Sequence, residues 1–112
     1  MVRVELDVYS GQPNPSWELA ASDVAAVASR LTGLPRLTSS PAEPGLGYRG
    51  VVLLNPQGQV GLPLEIRVYN GTVTVREASG LSHYQDTKGL EEWLLAQARQ
   101  RGHQKILQEL GK

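Results

Sequence analysis

The sequence predicts an α+β domain of two layers, in which two helices pack on one face of a mainly antiparallel, four-stranded sheet. Two periodicities support this class. Some segments alternate apolar and polar residues, as strands do, and others repeat apolar residues at the spacing of a helix. Their order along the chain is strand, helix, three strands, helix, which suits a sheet covered on one side by helices.

Length and composition limit the classes of function. The 112 residues correspond to one domain over 1–112, and eleven basic residues balance eleven acidic ones. A chain without net charge has no field that attracts nucleic acid or an anionic membrane, so we expect neither as a partner. Cysteine is absent, which excludes disulfides and thiol catalysis. The apolar runs are too short to span a bilayer, and we expect a soluble cytoplasmic protein without metal or cofactor.

Two strands are predicted in the first half of the chain. Segment 2–9 alternates valine and leucine with polar residues, as expected of a strand with one buried face. Segment 48–54 contains the apolar run 51–54, which is typical of a central strand covered on both faces. Because a helix lies between these two strands, we expect them to be parallel neighbours joined by a right-handed crossover.

Segment 64–77 predicts a β-hairpin. Asn70-Gly71 lies between two alternating runs and suits the positive φ angles of a type I′ turn. This turn sets the register, so that apolar pairs face the core and polar pairs face solvent. The expected apolar pairs are Val68 with Val73 and Ile66 with Val75, and the expected polar pairs are Glu65 with Arg76 and Arg67 with Thr74.

The first helix is predicted to begin near Ser22, whose hydroxyl suits an N-cap, and to end at Gly33. The second helix is predicted to follow Asp86, which is a candidate cap for its first turn. The two longest connections, 35–47 and 78–89, are rich in polar residues, proline and glycine. They are predicted to be surface loops.

For the end of the second helix, 102–112, the sequence leaves two alternatives: the helix bends near Gly102, or its end faces a different surface. Ile106, Leu107 and Leu110 fall about half a turn out of phase with the apolar stripe that precedes Gly102. Two interpretations are open: these residues form the interface of a homodimer, or the bend returns them to the same core.

The loop 10–17 is the least ordinary segment. Its prolines stiffen the chain, and Ser10, Gln12, Asn14 and Trp17 place polar groups beside a large apolar ring. A stiff loop loses little entropy on binding, so this segment is a candidate recognition surface. The alternative is structural: Asn14 bonds the loop's own backbone and Trp17 closes the edge of the core.

The same residues carry a resemblance. Segment 7–17 (Asp-Val-Tyr-Ser-Gly-Gln-Pro-Asn-Pro-Ser-Trp), with Gly-Leu-Gly-Tyr-Arg-Gly at 45–50 and Leu-Glu-Glu-Trp-Leu-Leu at 90–95, resembles a group of small bacterial single-domain proteins that share the motif S-G-R-P-N-P-x-W. The resemblance covers most of the chain, and its specific part is the opening motif. It implies a bacterial origin and no activity. Gln12 stands where the motif has arginine, so no anion contact is carried over to that position.

Two further pairs of residues are candidates for binding. Tyr48 and Arg49 lie between glycines, and an arginine binds carboxylate or phosphate with two parallel hydrogen bonds. His83 and Tyr84 lie close to Asp86, and a histidine beside a carboxylate is suited to acid-base chemistry. The structural alternatives are a solvent-facing Arg49 at a strand entry and an Asp86 that caps the following helix.

Motifs of established catalytic mechanisms are missing. The Gly-x-Ser-x-Gly elbow of serine hydrolases is absent, and the Gly-x-Gly-x-x-Gly pattern at 45–50 precedes a strand, where no dinucleotide site forms. The leading hypothesis is a non-enzymatic binding or adaptor domain that recognises a protein or peptide partner, in an inhibitor-like manner, through the loop 10–17. The first alternative is a small enzyme or a subunit that binds an anionic ligand with Arg49 and His83. The second is a structural homo-oligomer.

Overall fold

The computed structural model describes residues 2–8, 13–39, 47–58 and 61–112. Its strands are β1 (Arg3–Leu6), β2 (Ser16–Glu18), β3 (Arg36–Leu37), β4 (Val51–Leu54), β5 (Glu65–Tyr69), β6 (Thr72–Glu77) and β7 (Gly80–Gln85). Its helices are α1 (Ala21–Leu31), α2 (Leu90–Ala98) and α3 (Gln104–Glu109), and a π-helical turn (Arg99–His103) joins α2 to α3.

In the described part of the chain, seven strands form one antiparallel sheet in the order β2-β1-β4-β5-β6-β7-β3. The protein is therefore a small α+β fold with one sheet and two helices, the second of which continues through α3. The prediction of a four-stranded sheet is wrong. The sequence pattern marks neither the short strands β2 and β3 nor β7, whose residues were predicted as surface loop.

The predicted parallel pairing of the first and second strands is also wrong. β1 and β4 are neighbours, but they are antiparallel, with Arg3 opposite Leu54 and Leu6 opposite Val51. The reason is β2, which pairs antiparallel with β1 and reverses the chain before α1 begins. The connection from β1 to β4 is therefore not a simple strand-helix-strand crossover.

The predictions for the central strands are confirmed. The hairpin of β5 and β6 has the predicted register, with Val68 opposite Val73 and Arg67 opposite Thr74. Asn70 and Gly71 have φ angles of 48° and 83°, as a type I′ turn requires. The strand β4 lies inside the sheet, and its residues 51–53 are buried on both faces.

The helices bury their apolar residues against one face of the sheet. Val27 of α1 and Leu94 of α2 are completely buried in the same cluster as Val4, Leu53 and Val68. Val4 lies opposite Leu53, and Val68 lies opposite Val51, which is two positions from Leu53 on β4, so all of them share the covered face. The opposite face of the sheet carries the polar residues of β1, β5 and β6.

The predicted caps have different outcomes. The helix α1 begins at Ala21 without a side-chain cap, so the prediction of Ser22 as its N-cap is wrong. Asp86 does cap α2: its carboxylate accepts hydrogen bonds from the backbone N–H groups of Leu90 at 2.8 Å and of Glu91 at 3.0 Å. These two hydrogen bonds satisfy backbone N–H groups of the first turn, which have no acceptor within the helix.

The C-terminal helix bends near Gly102, as one of the two alternatives has it. Gly102 has a φ of 91° inside the π-helical turn, a conformation that glycine adopts at low cost. Beyond the bend, Leu107 is fully buried, and Ile106 and Leu110 pack partly buried against the same core. The packing is that of the intramolecular alternative, and the homodimer through these three residues stays a prediction.

Candidate functional site

Of the recognition loop 10–17, the structure describes 13–17. Ser10 and Gln12 lie outside the described residues. The side chain of Asn14 turns back to the chain, where its Oδ1 accepts a hydrogen bond from the backbone N–H of Val8 at 3.0 Å. A polar side chain that bonds the loop's own backbone stabilises the loop conformation. For Asn14, the geometry corresponds to the structural alternative.

Trp17 joins β2 to the helices. Its ring is buried, and its Nε1 donates to Gln97 Oε1 at 3.4 Å, while Gln97 donates to Asp23 Oδ2 at 3.1 Å. The ring also stacks on His103, with centroids 5.7 Å apart, and the guanidinium of Arg101 lies 5.9 Å from its centre. These contacts connect the edge strand to α1 and to the C-terminal helix. Trp17 is therefore part of the packing, with little of its ring left for a partner.

Tyr48 belongs to a buried polar contact. Its hydroxyl donates to Glu91 Oε2 at 2.5 Å, and both side chains are buried. Burial, and then the hydrogen bond to the Glu91 carboxylate, raise the pKa of Tyr48 well above its usual value. A neutral phenol that donates to a buried carboxylate satisfies both groups. Tyr48 thus connects the segment that precedes β4 to the first turn of α2.

Arg49 lies beside Asp7 and Arg67. Its Nη2 is 2.9 Å from Asp7 Oδ1, and Arg67 Nη1 is 2.7 Å from Asp7 Oδ2. Arg67 also donates to the backbone oxygen of Arg49 at 2.9 Å. The two guanidinium groups thus share one carboxylate on the sheet face opposite the helices, and both remain about one-third exposed.

His83 and Tyr84 do not form a common site. They are adjacent on β7, so their side chains point to opposite faces of the sheet. His83 Nδ1 lies 3.0 Å from Thr74 Oγ1 on the face that also carries Arg67, and the carboxylate of Asp86 is bonded to the first turn of α2. The predicted acid-base pairing of His83 with Asp86 is therefore not formed in this arrangement.

Tyr84 lines a cleft on the helix-covered face. The cleft has a volume of about 330 Å³ and lies between the C-terminal end of α1, segment 61–63 and the strands β6 and β7. Leu31, Leu62 and Val75 supply much of its apolar wall, and Glu77 supplies a carboxylate. Of the predicted binding residues that the structure describes, Tyr84 is the one that lines this cleft.

Sequence reasoning missed the cleft as a unit. Its walls come from segments 28–34, 61–63 and 75–77 and from Tyr84, which no motif links. A partial signal was present in β7, where glycine, which has no side chain, and serine, which has a short one, stand at positions 80 and 82 on either side of Leu81. Both positions lie on the covered face, opposite Glu77 and Val75, which line the cleft.

The described residues contain no group of three or more histidine, aspartate or glutamate side chains placed to hold a metal ion. Within the same residues, no helix has the length and apolar character needed to cross a bilayer. No protein-family model, no curated protein and no solved structure matches this chain. The resemblance to the S-G-R-P-N-P-x-W group accordingly stays a prediction.

Proposed function

We propose that this protein is a non-enzymatic binding domain of the adaptor type, which recognises a protein or peptide partner. The observation that carries the proposal is the cleft between α1 and the strands β6 and β7. Its described lining residues combine an apolar wall with one carboxylate, and the cleft opens to the surface. The binding of an apolar side chain in such a cleft is driven by removing apolar surface from water.

The size of the cleft favours a side chain over a cofactor. A volume of about 330 Å³ lies at the lower end of the range of small-molecule pockets, which is roughly 300–1,000 Å³. One or two aliphatic or aromatic side chains fit this volume. The carboxylate of Glu77 adds selectivity for a basic neighbour in the partner, because opposite charges at a rim steer association.

The proposal places the contact surface away from the loop 10–17. Asn14 and Trp17 are engaged by Val8 and Gln97, and removing them from those contacts carries a free-energy cost. The cleft requires no such loss, since Leu31 and Tyr84 are already partly exposed there. Binding at the cleft therefore leaves the core intact.

Peptide selection with a matched pair of α1 variants tests this proposal. Ala28 is exposed and lines the cleft, whereas Ala25 is exposed on the same helix and does not. A displayed library of random peptides of about ten residues, long enough for an extended strand, is selected on the wild-type protein. We expect Ala28→Trp to lower the affinity of the selected peptides at least tenfold, or about 1.4 kcal/mol, by filling the cleft.

The control is Ala25→Trp, which adds the same bulk to the same helix and is expected to bind as the wild type does. If no peptide is selected, or if both variants bind the selected peptides with wild-type affinity, the assignment of the cleft is wrong. Circular dichroism of the two variants verifies that each keeps its helix content.

A further inference from the structure

The edge of β7 is only partly covered. The short strand β3 pairs with β7 at two positions, Arg36 with Tyr84 and Leu37 with His83. After Leu37, the described residues 38 and 39 form a bend and do not pair with β7. Among the described residues, the segment 80–82 therefore has a strand partner on the β6 side alone.

The direction of the free backbone groups follows from the hydrogen bonds around them. The N–H of Gln85 points to β3, since it donates to Pro35 O at 2.8 Å, and the N–H of Asp86 points to the β6 side, since it donates to Gly71 O at 2.8 Å. Backbone groups alternate along a strand. The N–H and C=O of Leu81 therefore point outward, to the uncovered edge.

The side chains beside this edge are unusual for an edge strand. Leu81 is 56% exposed, on the face opposite the helices. Its neighbours Gly80 and Ser82 lie on the helix-covered face, opposite Glu77 and Val75 of β6, which line the cleft. Among the described residues, this strand edge has no partner at 80–82, carries an exposed leucine and has no charged residue there, so it lacks the usual protection against pairing with another chain.

We propose that the edge of β7 at 80–82 and the adjoining cleft form one recognition site for an extended peptide, which adds to the sheet as a strand antiparallel to β7. The inference rests on the proposed function and specifies its mode of binding. The peptide residue opposite Leu81 exchanges two backbone hydrogen bonds with it, as strands added to a sheet edge do. Its own side chain lies on the open face against Leu81.

The register predicts the chemistry of the peptide. The two residues that flank the central one face the cleft, because side chains alternate along a strand. The residue opposite Ser82 is on the same face as Tyr84 and as Val75, which lies one strand further in, and it is expected to be aliphatic. The residue opposite Gly80 is separated from Glu77 by two strand spacings, or about 10 Å. Because Gly80 has no side chain, an extended lysine or arginine at this peptide position can pass over it and reach the Glu77 carboxylate.

Charge supports this choice of peptide. Among the described residues, Glu77 forms no ion pair, although it lines the cleft. A cation from the peptide therefore gains an attractive partner without displacing another one. The expected recognition motif is aliphatic-x-basic, with any residue that favours strands in the central position.

A backbone test on the wild-type protein separates strand addition from simple side-chain docking. The probe is a fluorescein-labelled peptide from the selection described above, N-methylated at one amide at a time, with affinity measured by fluorescence anisotropy. Methylating the central amide removes its hydrogen bond to Leu81 O and is expected to weaken binding about three- to tenfold. Methylating the amide on either side, which points away from β7, is expected to have a much smaller effect.

Variants of the protein provide the second part of the test. Leu81→Pro removes the N–H that points outward and leaves the hydrogen bonds between β7 and β6 in place, because the N–H of this residue does not point to β6. It is expected to weaken peptide binding by about the same factor as methylation of the central amide. Leu81→Ala keeps the N–H and is the matched control. Glu77→Gln is expected to reduce the preference for lysine over norleucine at the position opposite Gly80.

The outcomes distinguish the inference from the function it specifies. If Ala28→Trp abolishes peptide binding, but N-methylation and Leu81→Pro do not weaken it, strand addition is wrong and the cleft remains the binding site. Loss of affinity at every methylated position, without alternation, also overturns it. If Leu81→Pro fails to fold, the N-methylated peptides still decide the question on the wild-type protein. Dimerisation of the wild-type protein that peptides do not displace shows that a second copy occupies the edge, and it overturns the assignment to a peptide.

Discussion

The two ends of the sheet are closed in different ways. At the closed end, β2 covers β1, and the bonds from Leu6 N to Pro15 O and from Leu19 N to Val2 O extend this cover beyond the strand itself. At the open end, β3 covers two residues of β7 and leaves 80–82 uncovered among the described residues. How much of its neighbour a short edge strand covers thus depends on how far the backbone on either side of it continues the hydrogen bonding.

The aromatic residues differ in the same way. Trp17 and Tyr48, near the closed end and the centre of the sheet, reach Gln97 and Glu91 of α2. Tyr84, near the open end, lines the cleft below α1. Trp17 and Tyr48 are therefore parts of the fold, whereas Tyr84 borders an unfilled volume that a ligand can occupy.

The largest expected effect is the loss of the Trp17 ring. Trp17→Ala is expected to lower the free energy of unfolding by about 3–5 kcal/mol, because a buried aromatic ring and its contacts with α1 and α2 are removed. Urea denaturation measures the loss. Tyr84→Ala is the comparison at the open end and is expected to cost about 1–2 kcal/mol, since that ring is partly exposed. Equal losses at both positions contradict the distinction between the two ends.

A smaller effect is expected at Tyr48. Tyr48→Phe leaves the buried carboxylate of Glu91 without its phenol donor, at a cost of about 1–3 kcal/mol. Thermal or urea unfolding at neutral pH measures it. Tyr69→Phe, which alters a ring beside Tyr48 without removing that donor, is the control.

The pH dependence of this contact has a definite sign. The pKa of Tyr48 is raised in the folded protein by burial and by Glu91, relative to 10.0 for an ordinary tyrosine. Its contribution is therefore fully present below the pKa of the unfolded state and decreases as the pH rises above it. The stability of the wild type is expected to fall more steeply above about pH 10 than that of Tyr48→Phe. If the free energy of unfolding falls equally steeply with pH in the two proteins, Tyr48 is not buried in its protonated form.

The smallest expected effect is at the open end. Leu81→Thr is expected to change the free energy of unfolding by no more than about 0.5 kcal/mol, because the leucine side chain is mostly exposed and threonine favours strands. Urea denaturation checks this value. A loss as large as that of Trp17→Ala shows that Leu81 is part of the core and removes the contrast between the two ends.

Local patterns predicted the elements that are stabilised by nearby residues. The hairpin of β5 and β6 was predictable to the level of its register, since Asn70-Gly71 sets the turn and the turn sets the pairs. The capping role of Asp86 was predictable for the same reason, and the bend at Gly102 was one of two alternatives that the sequence left open. Each depends on a few neighbouring residues.

The strands that were missed have no such pattern. β2 has three residues, too few for alternation to be recognised, and it follows two prolines. In β7, Leu81 lies on the open face and Tyr84 on the covered face, so the apolar residues do not alternate with a period of two. Of the candidate site, the sequence indicated Tyr84, but it did not indicate the walls of the cleft around it.

Local sequence patterns were sufficient to predict the first strand, the two helices and the central hairpin, and they left a bend of the C-terminal helix as one of two alternatives. The packing of the whole chain decided that β1 and β4 are antiparallel, that Trp17 is engaged by α2, and that a cleft lies beside a strand edge that the described residues leave uncovered. The physical reason is the range of the interactions. Turns and caps are stabilised within a few residues, whereas the pairing of Leu37 with His83 joins distant segments and depends on how the whole core packs.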